Sequence, residues 1–230
     1  MVKILSEYKA VMFDLDDTLL DRDKAVGAMF SVIIKNCYSG VSSNEMLINF
    51  KRNDNKGYNN KITVLNNLFN EYPPDYRIPD SEIMDFWNAN FPTCFSIDEE
   101  RTDMLKIIVE HSKTAIVTNG MTEVQKAKIA KTELDKIFSV VVVSEEAGVS
   151  KPDSQIFDIA LQKLGIEPGE TLFVGDHLEN DIHGSQEAGM NGIWYNPNKL
   201  TNDTNIIPFK EIHNLNQILP LIGADNRLKN

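Results

Sequence analysis

Five short apolar runs limit what this chain can fold into: Ala10–Phe13, Thr114–Val117, Val140–Val143, Thr171–Val174 and Gly192–Tyr195. They are dominated by Val, Ile and Phe and do not alternate with polar residues, the pattern of strands covered on both faces. The last four are spaced widely enough to hold a helix between neighbours. Glu123–Lys131 carries Val124, Ala127 and Ile129 at helical spacing. Asp153–Leu164 carries Ile156, Phe157, Ala160, Leu161 and Leu164 and stops at Gly165, and Leu178–Ala188 stops in the same way at Gly189. Strand and helix in alternation predict an α/β fold, a mostly parallel sheet with helices on both faces. Right-handed crossovers then bring the carboxyl ends of the strands to one edge, where ligands bind in such folds.

About a hundred residues separate the first run from the second, far more than one crossover needs. That stretch is itself helical in pattern. Val26, Met29, Phe30, Ile33 and Ile34 form one stripe, and Met46, Leu47 and Phe50 begin another. Ile62, Leu65, Leu68 and Phe69 form a third, and Ile83, Phe86 and Trp87 a fourth. Pro73-Pro74 and the loop around Asn53–Asn60 divide them. The expectation is an inserted helical unit at 21–95 within a core made of 1–20 and 96–230, with Asp98–His111 leading back into the sheet. Arg22, Arg52 and Tyr58 fall on its loops and read as surface residues.

The net charge of −11 argues against binding nucleic acid polymers or anionic membranes. Cys37 and Cys94 lack disulfide-framework or metal-ligand spacing and read as buried thiols. No apolar run is long enough to span a bilayer, and the first residues do not resemble a signal peptide. A cytoplasmic protein is expected.

Four strand ends then carry the chemistry. The first gives Asp14 and Asp16, the second Thr118-Asn119-Gly120. A stretch after the third gives Lys151-Pro152, placed just before a helix start, and the fourth gives Gly175-Asp176 with Asp181 five residues on. Each alone reads as an ordinary turn or cap. Together, in this order, they form a kit for phosphoryl transfer. Carboxylates hold Mg²⁺, the metal and the lysine neutralise phosphoryl oxygens, Thr and Asn hydrogen-bond them, and one carboxylate attacks phosphorus. Asp17 reads as a turn residue. His111, His177, His183 and His213 show no ligand spacing, although His177 adjoins Asp176.

On these four motifs the chain resembles the haloacid dehalogenase superfamily of phosphohydrolases. The motifs are Asp14-Leu15-Asp16-Asp17-Thr18-Leu19, Val117-Thr118-Asn119-Gly120, Lys151-Pro152, and Gly175-Asp176 with Asp181. The resemblance implies a Rossmann-like catalytic core and makes the helical insert a cap. It also implies roles. Asp14 would be the nucleophile, and Asp16 the acid for the leaving alkoxide and then the base for water. Mg²⁺ would be held by Asp14, the backbone carbonyl of Asp16, and Asp176, with Asp181 one shell further out. Thr118 and the backbone around Asn119 would cradle the phosphate, Lys151 would bridge it to Asp14, and Thr18 would brace the loop.

Asp16 also favours a small-molecule phosphate ester over a haloacid, since a halide leaves without a proton. Gln125, the stretch Val143–Pro152, Ile182, Gly189 and Trp194-Tyr195-Asn196 are similar to the branch of pyrimidine 5'-nucleotidases and N-acylneuraminate-9-phosphatase. That similarity points to a nucleoside monophosphate or a sugar phosphate. A sugar-phosphate mutase shares the same motifs. A receiver-like signalling module phosphorylated on Asp14 is the third reading, disfavoured by the insert and by Asp16.

Overall fold

In the computed structural model, which describes residues 8–40 and 43–224, every pairing between neighbouring strands is parallel. The strands are β1 (Ala10–Phe13), β2 (Lys113–Thr118), β3 (Val140–Val143), β4 (Thr171–Gly175), β5 (Asn191–Tyr195) and β6 (Lys210–Ile212). Their order is β3-β2-β1-β4-β5-β6. β1 is wholly buried and sits between β2 and β4, with Met12 opposite Ala115 on one side and Phe173 on the other. The chain order reverses between β1 and β4, the switch point at which open parallel sheets bind ligands. Five of these strands coincide with the apolar runs. The sixth was not expected, because Lys210-Glu211-Ile212 is short and its first two residues are exposed. It gains its place by pairing with β5, Ile193 opposite Lys210 and Tyr195 opposite Ile212.

The inserted unit, Asp21–Ser96, is a separate compact body of four α-helices. These are α1 (Arg22–Cys37), α2 (Asn44–Asp54), α3 (Lys61–Glu71) and α4 (Asp80–Asn90). Asp21 caps α1 by accepting from Lys24 N at 2.8 Å, and Asn60 caps α3. A run of aromatic rings links them. Phe30 meets Phe50 at 5.5 Å between centroids, Phe50 meets Trp87 at 6.3 Å, and Trp87 meets Phe91 at 4.9 Å. Arg22 corrects the sequence reading. It is buried, and its Nη1 lies 2.7 Å from Asp54 Oδ2, while Lys61 Nζ reaches Asp54 Oδ1 at 2.6 Å. The guanidinium also lies over the Phe91 ring and the Lys61 ammonium over Trp87. Cys37 is buried but Cys94 only half-buried, and both are free thiols.

The sheet unit contains α5 (Glu99–His111), α6 (Thr122–Lys131), α7 (Ser144–Ala147), α8 (Ser154–Leu164) and α9 (Gly184–Glu187). α8 buries the five apolar residues read from its sequence, and Phe157 packs edge-on against Phe173 with centroids 4.9 Å apart. Each of the larger ones, Ile, Leu and Phe, contributes about 1.5–3 kcal/mol of burial energy. Pro152 does not open this helix. Asp153 does, accepting from Gln155 N at 3.0 Å, so Lys151-Pro152 lies in the turn before the cap. Two other helices depart from expectation. α6 buries Gln125, Lys128 and Ile129, while Ala127 is exposed. Leu178–His183 is a widened π-helical turn that runs on into α9 rather than a regular α-helix. Among the described residues no helix is long and apolar enough to cross a membrane.

Asp54 carries the first prediction. Burial works to raise its pKa, but Arg22 and Lys61 outweigh this and hold it below the ordinary carboxylate value. Asp54→Ala leaves two cations without their shared counter-charge. It is expected to destabilise the chain by about 3–5 kcal/mol, read from urea unfolding.

Candidate active site

The carboxyl end of β1 supplies Asp14, whose N–H donates to Val174 O of β4 at 2.9 Å. The chain then turns sharply. Leu19 N and Leu20 N both donate to Leu15 O, at 3.0 and 2.9 Å, and Asp17 N donates to Leu20 O at 2.7 Å. Asp17 takes the left-handed conformation, φ 60°, that Asp tolerates better than most side chains. The turn leaves Asp14 and Thr18 buried and Asp16 half-buried.

Lys151 is buried too, and its Nζ lies 2.5 Å from Asp14 Oδ1 and 2.7 Å from Asp181 Oδ1. Asn119 fixes the backbone from which this lysine extends. Its Oδ1 accepts from Lys151 N at 2.9 Å, and its Nδ2 donates to Lys151 O at 3.0 Å. The side chain expected to help bind phosphate is therefore committed to positioning the lysine.

Asp181 projects from the π-helical turn, where Asp181 N and Ile182 N both donate to His177 O, at 2.9 and 3.4 Å. The second carboxylate oxygen accepts from His177 N at 3.0 Å. Gly175 makes room for it, since a Cβ there would overlap the Asp181 carboxyl group. Asp176 follows, with Trp194 Nε1 donating to its backbone carbonyl at 2.9 Å and Thr18 Oγ1 3.5 Å from its Oδ1. The His177 ring is exposed, and its Nδ1 accepts from Asn180 N.

Asp14, Asp176 and Asp181 each offer one oxygen within 4.8 Å of the others. Burial, foremost, and repulsion from neighbouring carboxylates raise the Asp14 pKa to about 7, with Lys151 pulling the other way. Burial, foremost, and repulsion from Asp181, Asp14 and Asp17 push Asp176 to about 8, with Lys151 opposing least. Burial works to lower Lys151, but Asp14 and Asp181 outweigh it and drive its pKa up, so the ammonium stays charged. Three carboxylates around one ammonium leave negative charge uncompensated. An oxygen-only cluster of that kind suits a hard divalent cation such as Mg²⁺.

The Asp16 carboxylate turns to a different set of partners. Lys128 Nζ lies 2.9 Å from its Oδ1 and 2.7 Å from its Oδ2, and Gln125 Nε2 donates to Oδ2 at 3.0 Å. The same Gln125 nitrogen donates to Thr118 Oγ1 at 2.7 Å. Lys128 was absent from the sequence reading, and Gln125 entered it only through resemblance. On a helix whose polar residues outnumber its apolar ones, both pass for solvent-facing side chains. The available signal is that Gln125, Lys128 and Ile129 share one helical face.

A family model described as haloacid dehalogenase-like hydrolase matches residues 11–195. The chain belongs to the haloacid dehalogenase-like hydrolases. A glyceraldehyde 3-phosphate phosphatase of Pyrococcus furiosus is 30% identical over 236 residues, covering 95% of this chain and 94% of that protein. The pyrimidine 5'-nucleotidase PynA of Streptococcus pneumoniae is 28% identical over 95% of this chain and 96% of its own length. Among solved structures, the putative haloacid dehalogenase-type hydrolase YfnB of Bacillus subtilis, bound to magnesium, superimposes with a TM-score of 0.77. It is 25% identical and the match covers 94% of this chain and 98% of that one. The relatives of this haloacid dehalogenase-like hydrolase are thus named as phosphoric monoester hydrolases, and the chain is an enzyme of that kind.

Gly175→Ala tests the construction of the site. A methyl group at 175 displaces Asp181 and with it one of the two acceptors of Lys151. Turnover is expected to fall by about two orders of magnitude, since displacements near 1 Å cost that much in rate. Wild-type turnover in the folded variant would show that the close approach has no role.

Proposed function

We propose that the chain is a Mg²⁺-dependent phosphatase of small soluble phosphomonoesters that works through a phosphoaspartate on Asp14. The observation that carries this reading is the sharing of the Lys151 ammonium between Asp14 and Asp181 at the sheet's switch point, with Asp176 beside them. Asp14, Asp176 and the Asp16 carbonyl would hold the cation, and Asp181 would order Lys151 and the cation's surroundings. Bound there, the cation supplies positive charge that keeps Asp14 ionised and offsets charge on the phosphoryl oxygens.

An ionised Asp14 oxygen attacks phosphorus, and the bond to the ester oxygen breaks. Asp16 delivers a proton to the departing alkoxide. A water molecule, deprotonated by Asp16, then attacks phosphorus and breaks its bond to Asp14, releasing inorganic phosphate and restoring both carboxyl groups. Thr118 suits the phosphate. Gln125 faces the Asp16 carboxylate and the Asn119 carbonyl, both acceptors, so its nitrogen side points inward and donates to Thr118 Oγ1. The Thr118 hydroxyl hydrogen, whose contact with the Asn119 carbonyl is long at 3.5 Å, can then turn to a phosphate oxygen. In this reading the inserted helical unit acts as the cap that selects the leaving group. The two named relatives act on a triose phosphate and a pyrimidine 5'-nucleotide, which supports a sugar phosphate or nucleoside monophosphate as substrate.

The test is phosphate release from nucleoside monophosphates, sugar and triose phosphates and p-nitrophenyl phosphate with Mg²⁺. Turnover of at least one ester, abolished in Asp14→Asn, is expected. Isomerised sugar phosphate without release would make the chain a mutase. Undiminished turnover in Asp14→Asn would remove Asp14 as nucleophile.

Linkage supplies a second test. Asp14 and Asp176 have folded-state pKa values of about 7 and 8, above the ordinary 3.8. The folded chain thus holds protons on these two groups that the unfolded chain releases, and their contribution to stability falls as pH rises from about 4 through 8. Without divalent cation, the melting temperature is expected to drop over that range. Added Mg²⁺ should raise it more at pH 8 than at pH 5.5. An equal Mg²⁺ effect at both pH values would contradict cation binding at these carboxylates.

A further inference from the structure

The face of α6 turned toward the protein interior is polar where an apolar one is the rule. It buries Gln125 and Lys128 beside Ile129, and Lys128 is only 3% exposed. Burying an ammonium is costly, and a buried ion pair is a weak source of stability compared with apolar side chains of similar size. What the lysine secures instead is the orientation of one carboxylate. Its Nζ reaches both oxygens of Asp16, at 2.9 and 2.7 Å, and Gln125 Nε2 holds Oδ2 at 3.0 Å. Gly120 allows the glutamine its place. It adopts φ +141°, and a Cβ there would crowd the Gln125 side chain at 3.2 Å. Through Gln125, the same array ties Asp16 to Thr118 Oγ1 at 2.7 Å.

We infer that Lys128 and Gln125 are positioning residues for the phosphatase reaction: together they fix the direction of the Asp16 carboxylate and align it with the Thr118 hydroxyl. The inference rests on the functional reading above, in which Asp16 serves the leaving group and Thr118 the phosphate. Lys128 touches neither substrate nor phosphorus in this scheme. It acts on the rate through Asp16. Nothing in the role depends on the lysine's bulk, so the effect must be selective for esters whose leaving group needs a proton. An alkoxide needs one and a nitrophenolate does not.

The experiment compares kcat/KM of wild type, Lys128→Met and Gln125→Leu on two esters. One is the alkyl phosphate turned over fastest in the substrate panel, and the other is p-nitrophenyl phosphate. Lys128→Met is expected to lose about 10²-fold on the alkyl ester, the low end of what general acid catalysis contributes, and less than about threefold on the aryl ester. Gln125→Leu should cost both esters something through Thr118 and the alkyl ester more, and that difference serves alone if Lys128→Met does not fold. In an Asp16→Asn background, Lys128→Met should add no further loss. Equal losses on both esters, or a loss that persists in that background, would make Lys128 structural and overturn the inference.

A crystal structure of Lys128→Met, or of Gln125→Leu in its place, separates this from the functional reading. The Asp16 carboxylate is expected to leave its wild-type direction. If it stays, the inference fails whatever the enzyme hydrolyses. If it moves while Asp14→Asn remains active, the positioning stands and the proposed nucleophile falls.

Discussion

One ammonium shared by two buried carboxylates organises this molecule. Lys151 lies between Asp14 and Asp181, with Asp176 close by, and the three carboxylate oxygens fall within 4.8 Å of one another. At that separation each ionised pair repels by on the order of 3 kcal/mol at an effective dielectric near 20. A single lysine offsets part of this. The remainder appears as the raised pKa values of Asp14 and Asp176, the expected signature of a site built for a further positive charge. Carboxylates assembled at such cost, at a sheet's switch point, are the physical basis for reading the family membership as catalysis.

Holding that cluster together accounts for features that look incidental on their own. Gly175 has no side chain because Asp181 lies against it. The turn after β4 is widened, and Asp181 leaves it with its second oxygen on His177 N. Asn119 spends its amide on the backbone of Lys151. Gly184 lies so close to Pro152 that a Cβ would collide with its backbone, which seats the turn carrying Asp181 against the turn carrying Lys151. The end of β1 and the turn after β4 are thereby locked to one nitrogen atom, and the end of β2 to the backbone of the same lysine. Lys128 repeats the device on a smaller scale, orienting Asp16 as Lys151 orients Asp14 and Asp181.

Most of the sheet could be read from the sequence because strands buried on both faces must be continuously apolar, and Ala10–Phe13, buried throughout, is the plainest case. β6 could not, since Lys210-Glu211-Ile212 is specified by its neighbour β5 and not by its own pattern. The four motifs gave Asp14, Thr118, Lys151, Asp176 and Asp181 because carboxylates and a lysine at strand ends have few other reasons to recur in that order. Residues that act on other residues were harder to see. Arg22 looked like a surface cation, and only the fold brings Asp54 and Phe91 to it. Lys128 has no place in the sequence reading, and Gln125 only one by resemblance, because burial of a polar helix face leaves no apolar stripe to reveal it. Asn119 reads toward the phosphate in the sequence, whereas its amide pairs with the backbone N–H and C=O of Lys151, which only the fold brings to it.

The identity of the attacking atom can be tested most directly by chemical trapping. The enzyme is mixed with Mg²⁺ and its best ester, quenched within a turnover, reduced with borohydride, digested and sequenced by mass spectrometry. Reduction of an acyl phosphate converts aspartate to homoserine, and that change is expected at position 14 and nowhere else. Homoserine at another aspartate, or phosphate on a different side chain while Asp14 stays intact, would contradict the role given to Asp14.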